Sequence, residues 1–278
     1  MKARFCMAVI TIAALISAPL SFAADEELGI FEMLRVSTVS FEETTAALEE
    51  ALASSGLMLH ASHDVRVADD LHKARFYVLT SPAYADAAKN ESPRTISAQI
   101  LRMAVYTSGE QQTTYVNMAN PVAHAMVFYA ESSDYDQLIA AAKDAAGEMR
   151  EVAASVPGED ASQQLAPIRT EKHYNKYKGD GPARMMAKFR TFEKSQLEIL
   201  DDSADNFDTV VENVRKAIAG SSVSGAEDTT GWETVAVIPL RDDAVYIGVT
   251  NPYIEDRMVQ INSRFRKDGK SEKSPYPG

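Results

Sequence analysis

The sequence predicts an α+β fold: mainly antiparallel sheet covered by helices, arranged as two unequal, pseudo-repeated units. Three observations predict it. A capped, amphipathic helix pattern starts at Ser40, two β-rich runs flank a Ser108-Gly109 turn, and the outline of both returns in the second half of the chain.

In chain order, Leu34 to Val39 reads as a short strand. Ser40 then caps a helix from Phe41 to about Ser54, with Glu43 at the position that completes a capping box. Phe41, Thr44, Thr45, Leu48, Ala51 and Leu52 recur at three and four, the spacing that gives a helix one buried stripe. Gly56 ends it. Leu57 to His60 and Phe76 to Thr80 read as the second and third strands, the latter stopped by Ser81-Pro82. Ile100 to Tyr106 and Thr113 to Met118 form a hairpin, after which Asn120-Pro121 opens a helix running into Tyr129. Asp134 to Val152 is a long helix with Leu138, Ile139, Ala142, Ala145, Met149 and Val152 on one face. From Pro157 to Pro167 two prolines and the lack of periodicity predict a linker or long surface loop.

The second half repeats the first in outline. Phe207 to Ile218 superposes without gaps on Phe41 to Leu52. Val235 to Ile238, the Asp242-Asp243 turn and Tyr246 to Pro252 repeat Met103 to Tyr106, the Gly109 turn and Tyr115 to Pro121. The second copy has no counterpart of the strands at Leu57 and Phe76, so it is expected to dock on the first sheet. The expected division is 1–23 signal peptide, 24–152 first unit, 153–194 connecting segment with a basic loop, 195–266 shorter second unit and 267–278 disordered tail.

Several motifs carry a resemblance. Val36 to Val39 precedes Ser40-Phe41-Glu42-Glu43-Thr44, the helix ends at Gly56, Asp64-Val65 follows the next strand, and Tyr77-Val78-Leu79 is followed by Pro82. With the later strand pair, Met33 to Tyr129 resembles the domain-of-unknown-function 302 family. The resemblance implies an α/β unit and, the family being functionally obscure, no particular activity. Where the family pattern carries Pro-Cys and Asn-Pro, this chain reads Ser97-Ala98-Gln99-Ile100 and Thr80-Ser81-Pro82, which puts a thiol-based role out of reach.

The amino terminus predicts export to the periplasm or medium. Lys2 and Arg4 precede the apolar run Ala8 to Leu20, and Ser21-Phe22-Ala23 before Ala24 has the small-residue pattern of a cleavage site. The run is shorter than the ~20 residues a bilayer span needs, so no integral membrane segment is expected after cleavage. Cys6, the only cysteine, leaves with the signal, which excludes disulfides, thiol nucleophiles and thiolate metal sites. Lys2 and Arg4 leave too, so 28 bases against 40 acids become 26 against 40, and −12 becomes −14. Such a surface repels phosphate backbones, and nucleic acid is not an expected partner.

No Gly-x-Ser-x-Gly, P-loop, dinucleotide or His-Glu-x-x-His motif is present, and no cofactor is expected. His124, set among apolar helical neighbours, reads as a packing histidine. His60, His63 and Met58, with Asp64 and His72 nearby, form a candidate metal set, although residues three apart on a regular strand face opposite sides. The main candidate binding segment is Lys172, His173, Tyr174, Lys176, Tyr177, Lys178 and Arg184. Glu171 to Lys194 holds seven bases and three acids in an otherwise acidic chain. The favoured function is an exported, non-catalytic accessory or binding protein that offers a groove between helices and sheet to a small molecule or protein partner. A hydrolase with dispersed His and carboxylate residues and a periplasmic metal-handling protein are the alternatives.

Overall fold

Helix α1 (Phe41–Ala53) starts where its capping box sets it: the Ser40 hydroxyl accepts from the Glu43 N–H, and the Glu43 carboxylate accepts from the Ser40 N–H. Its stripe, with Leu48 and Leu52 fully buried, lies on a sheet in this computed structural model, which describes residues 27–67, 72–92, 95–177, 206–225 and 228–256. The expected signal peptide and carboxy-terminal tail lie outside the described residues.

The sheet contains β1 (Glu27–Ser37), β2 (Met58–Asp64), β3 (Ala74–Thr80), β4 (Leu101–Ser108), β5 (Thr113–Ala119) and β6 (Gly158–Thr170). Their order is β2-β3-β4-β5-β1-β6, and every neighbouring pair is antiparallel. Helices α1, α3 (Pro121–Phe128) and α4 (Tyr135–Ala154) cover one face, while the short α2 (Pro82–Ala88) packs on α4. The side chains alternate between the two faces: Leu101, Met103 and Val105 of β4 and Val116 and Met118 of β5 enter the helical core, and Ala104, Tyr106 and Asn117 are buried on the other face. Ala142, Ala145 and Ala146 let α4 lie close to that core. The α+β class with a mainly antiparallel, helix-covered sheet holds.

The stretch from Pro157 to Pro167, expected as a linker, is instead strand β6, paired along β1 from Ser37↔Gly158 to Glu27↔Thr170. The first sheet therefore runs past residue 152, and the connecting segment expected at 153–194 begins as part of it. The reason is local. This is an edge strand with two register shifts, a Pro167 that an edge tolerates, and Ser162 at φ 38°, so period-2 alternation is broken. Strand β1 also starts earlier than the expected Leu34.

The second unit contains α6 (Phe207–Ala219), the short pair β7 (Ser222–Gly225) and β8 (Asp228–Gly231), the hairpin β9 (Glu233–Arg241) and β10 (Ala244–Thr250), and a helical turn α7 (252–256). In register its hairpin matches the first: Tyr106↔Tyr115, Val105↔Val116 and Ala104↔Asn117 answer to Ile238↔Tyr246, Val237↔Ile247 and Ala236↔Gly248. Both Asn-Pro steps cap helices alike. The Asn120 side-chain oxygen accepts from the Val122 N–H, and the Asn251 oxygen from the Tyr253 N–H, each at 3.0 Å. The hairpin docks on the first sheet: Ala236 and Ile238 pack with Val78 and Ile100 on the face away from α1, α3 and α4.

Candidate functional site

The proposed metal set does not assemble. A bulge between Leu59 and Ala61 places the His60 ring beside Thr80, where Nε2 and Oγ1 are 2.8 Å apart. His63 lies opposite Phe76, its ring 5.3 Å from the Phe76 ring and its Nε2 2.8 Å from Glu255 Oε1. The bulge overcomes the three-residue spacing and brings both rings to one face. Thr80 and Phe76 are nonetheless four residues apart on β3, roughly 13 Å at about 3.4 Å per residue, too far for one ion. Met58 is solvent-exposed, and no group of three or more His, Cys, Asp or Glu fit for a metal occurs among the described residues. Burial holds the His60 imidazolium below its ordinary pKa. His72 instead meets the Gly109 carbonyl at 3.3 Å.

His63 is a tether between units. Its partner Glu255 in α7 also accepts from the Arg66 N–H and the Thr250 hydroxyl, and Arg66 pairs with Asp256 at 3.1 Å. Arg241 adds a second tether, donating to the Glu91 carbonyl at 2.6 Å.

The basic segment is divided. Lys172 and Lys176 are exposed and His173 is partly covered, on the short α5 (Glu171–Tyr174) and the turn after it. Tyr174 corrects the reading as a binding residue. It is 1 % exposed, belongs to the main core, and donates its hydroxyl to the Leu28 carbonyl at 2.7 Å, so no face is left for a ligand. Glu171 meanwhile accepts from the Tyr135 hydroxyl at 2.8 Å, anchoring the start of the segment to α4. Tyr177 closes the turn, and Lys178 and Arg184 lie outside the described residues.

Composition gave no sign of two further features. Glu32, 2 % exposed under α4, accepts a two-pronged contact from Arg150 at 2.9 and 2.8 Å and a third bond from Gln164 at 2.7 Å. The Gln164 oxygen accepts from the Gly29 N–H at 2.9 Å, fastening β6 to β1. The other feature is a cleft of about 490 Å³ between α6 and the β9–β10 hairpin, lined by Phe207, Val211, Val237, Pro239, Leu240 and Val245, with Asp208, Arg241 and Asp242 around it. It follows from alternation: Ala236 and Ile238 face the first sheet, leaving Val237 and Pro239 to face α6. Helix α6 carries Phe207, Val210, Val211, Val214 and Ile218 at helical spacing, yet none of its residues is buried. Phe207, Val214 and Val237 stay exposed by 37 to 39 %. The hydrophobic spacing of α6 was the signal for this cleft in the sequence; its second wall depended on where the hairpin docked.

Residues 33–156 match the Domain of unknown function DUF302. The DUF302 match spans the end of β1, from Met33, and α1 to α4, and stops before β6. A crystal structure of an uncharacterized conserved DUF302 protein from Bacillus stearothermophilus is similar at 20 % identity and a TM-score of 0.37, over 45 % of this chain and 97 % of that one. No curated protein matches the chain.

Proposed function

We propose that this is an exported, non-catalytic binding protein whose working surface is the cleft between α6 and the β9–β10 hairpin. One observation carries the reading: Phe207 and Val211 of the amphipathic α6 line a concave apolar wall with Val237, Pro239 and Leu240, and no residue of the helix is buried. Free energy favours covering such a surface, by ~1.5–3 kcal/mol for each large aliphatic side chain taken fully out of water. An apolar floor with a few charged groups at its edge is the usual construction of a site for a small apolar ligand or an apolar side chain of a protein partner. Export is supported by the amino-terminal pattern from Lys2 to Ala23. Among the described residues no helix is long and apolar enough to cross a membrane.

The test is native mass spectrometry of protein recovered from the exported fraction, with Val237→Asp alongside. A bound mass that accompanies the native chain and is lost from a folded Val237→Asp chain is the expected result. Bare protein in both samples, or a bound mass that Val237→Asp retains, refutes the cleft.

A further inference from the structure

The second unit leaves in water what the first unit buries. In the gapless superposition of Phe207 to Ile218 on Phe41 to Leu52, Val214 answers to Leu48. By hairpin register Val237 answers to Val105, and counted from the two Asn-Pro caps Ile254 answers to Ala123. Val214, Val237 and Ile254 are exposed by 37 to 39 %, whereas Leu48, Val105 and Ala123 are at most 1 % exposed. Helix α6 lies against β9 as α1 lies against β4, so the helix-on-hairpin layer is the same in both units. What differs lies above it. Leu48, Val105 and Ala123 share one core with Leu138, Ala142, Ala145 and Met149 of α4, which packs on both α1 and α3.

The sequence at the matching distance after Pro252, Arg266 to Gly278, contains no aliphatic residue and one aromatic, Tyr276, and cannot supply the stripe of α4. The charges on α6 point to what takes its place. At about 100° per residue, Asp208 in the first turn and Arg215 two turns later sit on one flank of the stripe, about 80–100° round from Phe207. Antiparallel helices packed stripe to stripe set like flanks side by side, so a second α6 running the other way meets Asp208 with its Arg215 and Arg215 with its Asp208. A parallel pair would instead set that flank against Val210 and Ala217. Arg215 contacts Glu212 of its own helix at 3.3 Å, with both side chains about half exposed, a contact weak enough to yield. Such self-complementarity is what a two-fold interface requires.

We propose that α6 and the wall beside it form the interface of a two-fold dimer, in which α6 of a second copy runs antiparallel to its mate and does for the second unit what α4 does for the first. Phe207 and Val214 of each helix cover the apolar face of the other, and two Asp208–Arg215 pairs flank the seam. The proposal rests on the reading of the α6 cleft as a binding surface and names its occupant.

Sedimentation equilibrium of the exported chain from ~1 to ~100 µM should show a reversible monomer–dimer equilibrium. Val214→Asp should weaken it at least ~30-fold, because each interface would then hold two unpaired carboxylates. Asp208→Arg and Arg215→Asp each set two like-charge pairs across the axis, so either variant alone should associate at least ~10-fold more weakly than the native chain. An equimolar mixture of the two should recover a heterodimer of near-native strength, since both cross-axis pairs are again of opposite sign. All three positions are exposed, so the folded monomer should keep its far-ultraviolet circular dichroism. A monomer at every concentration, a dimer that Val214→Asp leaves intact, or a mixture no stronger than its components overturns the proposal. A monomer carrying a bound mass that Val237→Asp loses keeps the cleft as the working surface and removes only the second copy, whereas a bare monomer removes both.

Discussion

Arg150→Met should destabilise the protein by about 2–4 kcal/mol, well beyond an ordinary surface substitution. Glu32 is 2 % exposed and accepts three hydrogen bonds, two of them from Arg150. Removing Arg150 leaves a buried carboxylate with only Gln164 to compensate it. Breaking one side of a buried pair costs ~3–5 kcal/mol, and the surviving Gln164 bond together with the partial exposure of Arg150 argues for the lower part of that range. For a chain of this length that corresponds to a fall of roughly 4–16 °C in unfolding midpoint. Urea unfolding of the native chain, Arg150→Met, Glu32→Gln and the double variant gives both the loss and the coupling. The double variant should recover much of the loss, because the stranded charge is gone. A cost below about 0.5 kcal/mol for Arg150→Met, or strict additivity in the double variant, would show that the pair behaves as a solvated surface contact.

The remaining predictions are narrower. Tyr174→Phe strands the Leu28 carbonyl and should cost about 1–2 kcal/mol in the same unfolding assay; no change would mean the hydroxyl anchors nothing. Gly158→Ala should cost more than about 2 kcal/mol, since Gly158 sits at φ 152° with the Val36 carbonyl where a Cβ would go, and circular dichroism on heating reads the loss. The His124 imidazolium is depressed in the folded state, so below the unfolded pKa near 6.5 the unfolded chain takes up a proton that the folded chain does not. Stability should then fall by up to ~1.4 kcal/mol per pH unit between about 6.5 and 3, and His124→Gln should flatten that part of the profile. An identical slope in the variant would contradict the assignment.

Elements with strong local chemistry were legible in the sequence. Ser40 and Glu43 set the start of α1, the three-and-four spacing from Leu138 to Val152 marked α4, and the Ser108-Gly109 turn marked the β4–β5 hairpin. What failed was β6, where neither alternation nor helical period survives two register shifts, and whose pairing is set by β1, more than a hundred residues away. The family resemblance, stated for Met33 to Tyr129, was matched over 33–156. The functional surfaces were less readable. Excess charge drew attention to Lys172 to Arg184, yet Tyr174 in that segment serves the core. The apolar spacing of α6 was readable, but the exposure of Val214 and Val237 becomes conspicuous only beside Leu48 and Val105, their buried counterparts in the first unit.

The sheet has a consequence for anyone excising this domain. A fragment cut at residues 33 and 156, the limits of the sequence match, would begin inside β1 and omit β6. Its amputated border would offer bare N–H and C=O groups to any passing chain, a standing invitation to clump. The piece that inheritance marks out is shorter than the sheet itself, which extends at least to Thr170.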